Sequence, residues 1–511
     1  MIITSPLKQR VFMCGILYTY CKNYRAENII KSEFPKALDV MSYRGKDHKG
    51  IYRNNCHFYG HVRLSILDLT EKSNQPLVND QYVLLFNGEI YNFKSLASAD
   101  SDTLALFEQI NKGIFNPFFL EGMYALLYTD KKRDITKIFR DPFGEKPLYY
   151  YVDENIIVVS STIKSLAFLI HKVSRKKAEL SRKSVSNFLL HGFVREPQTI
   201  LDNVYSLPHD SVLTIHKDKI SLSQSLFKNK KLEGFNPYIS RCFSSTDVDP
   251  TLLLSSGVDS NYLLSRVCAE NKKTNALTYK SSNRDKDESI ISINNFLHCF
   301  PQEEERIFTI SGIRNVELIE KNAFFMEQPS SDGFNLSNLL SRYRLFNKNS
   351  KLIITGLGGD EMFGGYNSFL HLKKFMILSS YHFFCLFPSR FKNIKRLDID
   401  FKNRIHKILA YYYLYRVDGD VLSLFRDELF NELFNEFKFN IESLIKEDSS
   451  QMILKYCETF DYMKNQLLRD NDNISMWYGF EARNPLLSRF SLGKEPDQRV
   501  FLKKNLLNYG L

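Results

Sequence analysis

Long hydrophobic runs are missing from this sequence. The most apolar stretch, roughly residues 375–387, is broken by Ser, Tyr and His. It is shorter than the ~20 residues that a membrane-spanning helix needs, so a buried helix is expected there and no membrane insertion. Residues 1–12 lack the apolar core of a secretion signal. The eight cysteines fall at irregular spacings with no CxxC pair. That argues against a disulfide framework or a zinc site and suits reduced thiols in a cytoplasmic protein. Internal repeats and low-complexity tracts are absent. A basic face with a reading motif is also lacking: the formal charge of +11 comes from scattered Lys and Arg. A solvated basic surface is the simplest reading, with no nucleic-acid partner. The same excess suits attraction to anionic small molecules.

What is present is ample for packed interiors. At 511 residues, 43% of them hydrophobic and 14% aromatic, the chain is too long for one ordinary core, and two or more domains are expected. The part up to about residue 225 reads as strands and turns. Tyr82-Val83-Leu84-Leu85-Phe86 ends in Asn-Gly, Tyr124-Ala125-Leu126-Leu127-Tyr128 ends in Thr-Asp, and Asn155 to Ser160 is β-branched. A layered α+β sandwich follows from this. Residues of about 226–246 are polar, with Lys228-Asn229-Lys230-Lys231, and read as a linker. Beyond them, the apolar run Thr251-Leu252-Leu253-Leu254 enters Ser255-Ser256-Gly257-Val258-Asp259-Ser260, and Leu352-Ile353-Ile354-Thr355 enters Gly356-Leu357-Gly358-Gly359-Asp360-Glu361. Strand, Gly-rich turn and helix, repeated, predicts a parallel α/β sheet with ligands at its strand C-termini. From about 370 the pattern is mostly helical.

Two segments carry most of the chemical information: Met13-Cys14-Gly15-Ile16, and Phe86-Asn87-Gly88-Glu89-Ile90-Tyr91-Asn92. A Cys that becomes the first residue bears a thiol and a free α-amine, a base with pKa about 7.7–8.0. That amine can relay the thiol proton as the thiolate attacks an acyl carbon. Asn-Gly offers a side-chain N–H and an unhindered backbone N–H to an oxyanion.

These segments resemble the glutaminase half of the class II, N-terminal-nucleophile amidotransferases. The rest of the chain, to about Pro485, resembles the glutamine-hydrolysing asparagine synthetase family. The resemblance implies an Ntn-hydrolase-like sandwich over 14–225 and a parallel-sheet ATP-pyrophosphatase domain over 226–511. By motif match, Cys14 is the nucleophile and Asn87 and Gly88 are the oxyanion donors. Arg63 (in His61-Val62-Arg63-Leu64) would clamp the glutamine carboxylate, a bidentate task for which Arg is suited. Glu89 and Asp102 would take the ammonium. Ser255-Ser256-Gly257-Val258-Asp259-Ser260 resembles a pyrophosphate loop. ATP would be met by Leu254, Ser255, Gly257, Asp259, Ser260, Tyr279, Thr355 and Gly356, and Mg²⁺ by Asp259 and Asp360. A block from Asp461 to Asp470, then Ser475-Met476 and Glu481-Ala482-Arg483-Asn484-Pro485, matches the C-terminal signature.

The implied activity is ATP- and glutamine-dependent amidation of a carboxylate through an acyl-adenylate, aspartate to asparagine for the usual acceptor. Small-molecule partners are expected, and a homodimer is compatible with this. Several departures accompany the match, the mildest being Lys46, where a proline usually follows Arg-Gly. Twelve residues precede Met13, so either Met13 is expected to be the true start or the extension is expected to be removed. Ser256 replaces a glycine. Leu357 stands where the family carries a Glu that assists ammonia attack. Ser488 stands near the position of a usual Asp. Arg499 aligns with a catalytic Lys, for which Lys494 or Lys503 could substitute, and the chain stops early at Leu511. Two alternatives stay open: amidation of a sugar uronic acid for surface polysaccharide, and a non-catalytic glutamine- or nucleotide-binding relative, with a truncated synthetase domain.

Overall fold

The computed structural model describes residues 14–45, 47–175, 178–224, 234–281, 287–311, 325–380, 391, 393–417, 421, 423–445, 448–493 and 506. Lys46, residues 228–231, Lys494, Arg499, Lys503 and part of 375–387 lie outside them.

In the first half the strands are β1 (Gly15–Cys21), β2 (His48–Asn54), β3 (His57–Arg63), β4 (Leu77–Val78), β5 (Tyr82–Ile90), β6 (Gly122–Asp130), β7 (Ile135–Arg140), β8 (Tyr149–Val152), β9 (Ile156–Ser160), β10 (Tyr205–Ser206), β11 (Ser211–His216) and β12 (Lys219–Gln224). They form two six-stranded sheets, ordered β10-β8-β9-β1-β3-β2 and β12-β11-β7-β6-β5-β4. The three apolar runs picked out in the sequence are β5, β6 and β9.

Ile16, Tyr18, Tyr59, Leu85, Leu127, Val159 and Leu213 fill the space between the sheets. Alternate residues on β1, such as Leu17, face outward onto the helices Tyr24–Val40 and Ile163–Ser174. The helix Asp102–Asn111 covers the other sheet through Ala105, Leu106 and Ile110. The result is an α/β/β/α sandwich in which the central strands of both sheets are buried on both faces. That double burial is why β5, β6 and β9 read as continuous apolar runs rather than alternating ones.

The second half is built on a parallel five-stranded sheet, ordered β15 (Ile307–Ser311), β14 (Asn275–Lys280), β13 (Pro250–Leu253), β16 (Leu352–Ile354) and β17 (Glu481–Arg483). The chain leaves β13 toward β14 and β15, then returns to β13's other side as β16. The crevice between β13 and β16 is therefore the topological switch point, where ligands of such sheets sit. Helices Arg404–Arg416, Asp427–Glu442 and Ser450–Cys457 pack an aromatic core beyond it. The segment Glu458–Leu468 adopts eleven residues of π-helical geometry.

The linker reading fails for part of its span. Phe235–Ser244 is a helix that buries Phe235, Ile239, Cys242 and Phe243. The spacing i, i+4, i+7, i+8 is that of one helical face, and the polar residues around it masked the signal.

Candidate functional sites

The first site lies where β1, β3 and β5 meet the second half of the chain. The pairing Gly15↔Val62 carries Cys14 opposite Arg63. The Cys14 thiol is engaged by Leu64, whose N–H donates to Sγ at 3.4 Å while Sγ lies 3.5 Å from its carbonyl. Burial pushes the thiol pKa up to about 12, with Glu481 and Glu89 adding to the rise and Arg63 opposing it. Cys14 packs against a small apolar cluster of Leu64, Ile66 and Met476, so a residue of the second half belongs to the thiol's apolar surroundings.

Asn87 and Gly88 sit on β5, opposite Ala125 and Tyr124 of β6. Asn87 Nδ2 is buried with no hydrogen-bond partner among the described residues. Leaving a donor so costs about 1–3 kcal/mol, a cost that a bound acceptor would remove. Gly88 has φ +144°, and a Cβ there would lie 2.0 Å from the Met123 carbonyl oxygen. Only glycine fits, and the strand is thereby held close to β6.

Asp102 opens its helix. It accepts from the Ile90 N–H at 3.0 Å and the Thr103 N–H at 2.7 Å. Burial still pushes its carboxyl pKa up to about 6. Burial likewise raises Glu89, against the opposing pull of Arg483. Arg63 is placed differently from a free clamp. Its Nη1 donates to Thr70 O and Asn74 Oδ1, at 2.7 and 2.8 Å, and its Nη2 to the carbonyls of Leu67 and Asp68. The guanidinium is thus moored in the 67–74 loop. None of the ion pairs among the described residues involves it, so its charge is left for a ligand, while two-fold contact through both Nη atoms requires that loop to yield.

The second site is the β13–β16 crevice. Leu254 is buried and its N–H donates to Leu277 O at 2.9 Å, so its side chain serves the core. Ser255 N–H donates to Ser260 Oγ at 3.1 Å, and Gly257 N–H to Ser255 Oγ at 3.1 Å. Asn261 Nδ2 ties the loop further through the carbonyls of Ser255 and Gly257. The helix Val258–Ala269 starts at Gly257 with no side-chain cap. Its first-turn N–H groups and positive dipole end face the crevice, an arrangement that suits phosphate. The Ser256 hydroxyl donates to Glu288.

Across the crevice, a Cβ on Gly359 would lie 2.2 Å from Asp259 Cγ, and one on Gly356 3.4 Å from Asp259 Cβ. The two loops therefore abut, and Asp360 begins the next turn. Two carboxylates at such a place suit Mg²⁺, which takes one or two from protein and the rest from phosphate and water. Thr355 Oγ1 donates to Asn484 Oδ1 at 2.7 Å, and its N–H to Arg483 O at 3.0 Å. Tyr279, 47% exposed, stands at the C-terminal end of β14. Leu357 packs against the apolar core, and its N–H donates to Thr355 Oγ1 at 3.2 Å. Ser488 caps a helical turn reciprocally with Ser491, work that an Asp could share.

Sequence reasoning gave no joining role to the groups that link the two sites. Arg44 is fully buried; its Nε donates to Cys14 O at 3.1 Å and its Nη2 to Asp472 at 2.9 Å. Lys146 lies 3.4 Å from Asp472 and 3.8 Å from Glu481. Arg483 Nη2 lies 3.2 Å from Glu89 Oε2, and its Nε 3.3 Å from Glu481. Asn484 Nδ2 donates to Glu145 at 2.9 Å. Their signal in the sequence was membership of matching segments: Arg483 and Asn484 stand in the C-terminal signature, and Arg44-Gly45 and the stretch Phe143 to Tyr150 also resemble family segments.

Comparison with known proteins gives two family matches. Residues 13–226 match a family described as "Glutamine amidotransferase domain", and residues 239–490 one described as "Asparagine synthase". A protein named "Putative asparagine synthetase (glutamine-hydrolyzing) 2" from Methanocaldococcus jannaschii is 28% identical over 405 residues, 70% of this chain and 76% of that one. "Asparagine synthetase (glutamine-hydrolyzing) 1" of Bacillus subtilis is 27% identical over 395 residues, 71% of this chain. That match takes in 61% of the Bacillus protein, less than two thirds of its length. Among solved structures, the glutamine phosphoribosylpyrophosphate amidotransferase from B. subtilis is similar over 67% of this chain and 81% of its own, at 15% identity and TM-score 0.29.

The tight packing at Gly88 yields a test of the first site's construction. Gly88→Ala should lower stability to urea by about 2–5 kcal/mol, from strain plus overpacking. Gly113 also has positive φ, +68°, but opens on empty space. Gly113→Ala should cost only about 1–2 kcal/mol. Equal losses would mean that backbone conformation alone sets the requirement at Gly88.

Proposed function

The chain belongs to the glutamine-hydrolysing asparagine synthetase family, and from that premise we propose that it transfers glutamine's amide nitrogen to an ATP-activated carboxylate, most simply that of aspartate. At the first site, Cys14 attacks the side-chain amide of glutamine. Asn87 Nδ2 and the Gly88 N–H receive the oxyanion. Arg63 supplies the positive charge for the substrate carboxylate, and Glu89 with Asp102 receives the ammonium. At the second site, the loop 255–260 and the following helix N-terminus hold the phosphates, and Thr355 and Gly356 flank the nucleotide. Asp259 and Asp360 would hold Mg²⁺, which supplies charge neutralisation for departing pyrophosphate. Ammonia attack on the acyl-adenylate then yields the amide and AMP. Buried passage between the sites keeps ammonia from water. With no membrane-crossing helix among the described residues and free thiols throughout them, we assign the work to the cytoplasm.

The observation that carries this reading is the buried, unsatisfied Asn87 Nδ2 beside a glycine that no other residue can replace, on a strand of the facing sheet that packs against β1. The reading requires Cys14 to be the first residue of the mature chain, since its thiol is otherwise held protonated. The test uses protein whose intact mass corresponds to a Cys14 start. Ammonia release from glutamine should fall at least about 1,000-fold in Cys14→Ala. Equal rates in parent and variant would defeat the proposal.

A pH dependence follows from Asp102. Its pKa is raised to about 6 by burial, so the ammonium-binding carboxylate is ionised above that pH and lost below it. The kcat/KM for glutamine, which reports the free enzyme, should steepen below pH ~6 by about tenfold per unit over the fall that protonation of the Cys14 α-amine alone produces. A profile without that steepening would contradict the role given to Asp102.

Leu357 favours a second acceptor. Where ammonia would attack, an apolar side chain faces the core and offers no carboxylate. A nucleotide-linked sugar uronate, bringing its own polar groups, is the alternative substrate. ATP–pyrophosphate exchange should respond to one of the two: response to aspartate alone removes the uronate, and response to uronate alone removes aspartate.

A further inference from the structure

Strand β17 touches both sites at once. Its side chains face the first site: Glu481 is 3.3 Å from Arg483, and Arg483 is 3.2 Å from Glu89. Its backbone and the next residue hold the second site: Arg483 O accepts from the Thr355 N–H at 3.0 Å, and Asn484 Oδ1 accepts from Thr355 Oγ1 at 2.7 Å. Arg483 is completely buried. Its Nη1 and Nη2 also donate to the carbonyls of Cys242 and Ser245, at 2.8 and 2.9 Å, anchoring it to the C-terminal end of the helix Phe235–Ser244. Its guanidinium carbon lies 5.5 Å from the Tyr91 ring centroid. A rigid, planar cation is thus wedged between a carboxylate of the first half and one of its own strand.

The charge balance at this point depends on a ligand. Three buried carboxylates, Glu89, Asp102 and Glu481, gather around this one guanidinium, with Lys146 farther off at 3.8 Å from Glu481. Glu89 Oε2 has no hydrogen bond among the described residues; Arg483 is its charge partner. A ligand ammonium arriving at Glu89 and Asp102 would supply the missing positive charge and compete with Arg483 for Glu89. Released in part from Glu89, Arg483 has Glu481 as its remaining anionic partner, on the same strand and two residues away.

We propose that Arg483, steered by Glu481, is a positioning residue that couples the two sites: glutamine's ammonium displaces it from Glu89, and the adjustment of β17 is passed to Thr355 and the nucleotide. The proposal rests on the reading of the two sites given above. Coupling of this kind is a free energy shared by two ligands and is reciprocal. Glutamine should therefore tighten nucleotide binding by the same factor as nucleotide tightens glutamine. No new contact between the ligands is needed. The path is one ion pair, one strand and two hydrogen bonds to a single threonine.

The experiment uses the full chain carrying Cys14→Ala, so that glutamine is bound but not consumed. Calorimetry gives the Kd of Mg-ATP without glutamine and at saturating glutamine, and then the reverse pair. In this parent the ratio should be at least about fivefold, and in Glu481→Gln and Arg483→Lys it should fall below about twofold while both ligands still bind. A merely structural role would weaken each ligand or lower stability without changing the ratio. Glu481→Gln keeps the size of the side chain and decides the matter if Arg483→Lys does not fold. A ratio near one in the parent, or an unchanged ratio in Glu481→Gln, overturns the coupling and leaves the two sites standing. Failure of the parent to bind glutamine at all would remove the reading of the first site and the coupling with it.

Discussion

Charge buried between the two halves must find its partner across that boundary, and the rest of the structure is arranged around this requirement. Arg44 meets Asp472, Lys146 meets Asp472 and Glu481, Glu89 meets Arg483, Arg195 meets Asp461, and Glu196 meets Lys464. In each pair one member belongs to the sandwich and the other to the second half. An isolated charge in such surroundings is very costly, and removing one partner of a buried pair typically costs about 3–5 kcal/mol. An apolar interface of the same shape could be as stable. What the ionic one adds is register, since a slip of the halves against each other would strand several charges together. That register matters because the apolar cluster against which Cys14 packs includes Met476, a residue of the other half. The first site is complete only when the halves are docked.

The same interface explains the C-terminal signature. Glu458–Leu468 winds as a π-helix, a wide geometry seen mostly at functional segments. Its Asp461 takes Arg195 through two contacts, at 2.7 and 3.0 Å, and its Asn465 accepts from the Glu196 N–H at 3.0 Å. Asp472, on the following helix, holds Arg44 and through it the carbonyl of Cys14. A block that looks like a motif for chemistry is therefore largely a docking surface, and its polar residues are spent on the partner half. The departures from the family pattern separate along the same line. Ser488 substitutes for Asp at a helix cap, where either residue can serve. Ser256 and Leu357 lie at the nucleotide crevice, where one side chain engages Glu288 and the other turns to the core.

What the sequence disclosed followed from whether a signal was local. The runs at β5, β6, β9, β13 and β16 announced themselves because each is apolar over its length and ends in a turn. Cys14, Asn87, Gly88 and the loop 255–260 stood out as candidates because the proposed chemistry needs those residue types in fixed order. The helix Phe235–Ser244 was hidden because its four buried residues are diluted by Asn, Ser and Arg on the outer face. Arg63 was legible as a cation but not as one moored by Thr70, Asn74, Leu67 and Asp68, since a loop's carbonyls leave no compositional trace. Arg44, Lys146 and Arg483 stood in segments that match the family pattern, but their partners were opaque for a related reason. Each looks like a surface charge until a carboxylate far along the chain, such as Asp472 or Glu89, is brought beside it.

These buried charges also decide what kind of nucleophile Cys14 can be. A thiol with its pKa near 12 is ionised in about one molecule in 10⁵ at pH 7, too few for direct attack. The nearby charges do not correct this, because Glu481 and Glu89 oppose Arg63. The His61 imidazole is no remedy either. Burial pushes its pKa down to about 3, and its Nε2 lies 3.1 Å from Phe86 O. For the nucleophile proposed above, a base would therefore have to come with the cysteine itself, and its own α-amine is the group that reading invokes. Arg44 fixes the carbonyl of that residue at 3.1 Å, which restricts the backbone whose nitrogen would carry the base. The acids that suppress the thiolate would stabilise the ammonium formed when the thiol proton moves to the amine. An environment hostile to a thiolate alone is thus favourable to a thiol and amine acting together, and the site's chemistry depends on freeing that nitrogen.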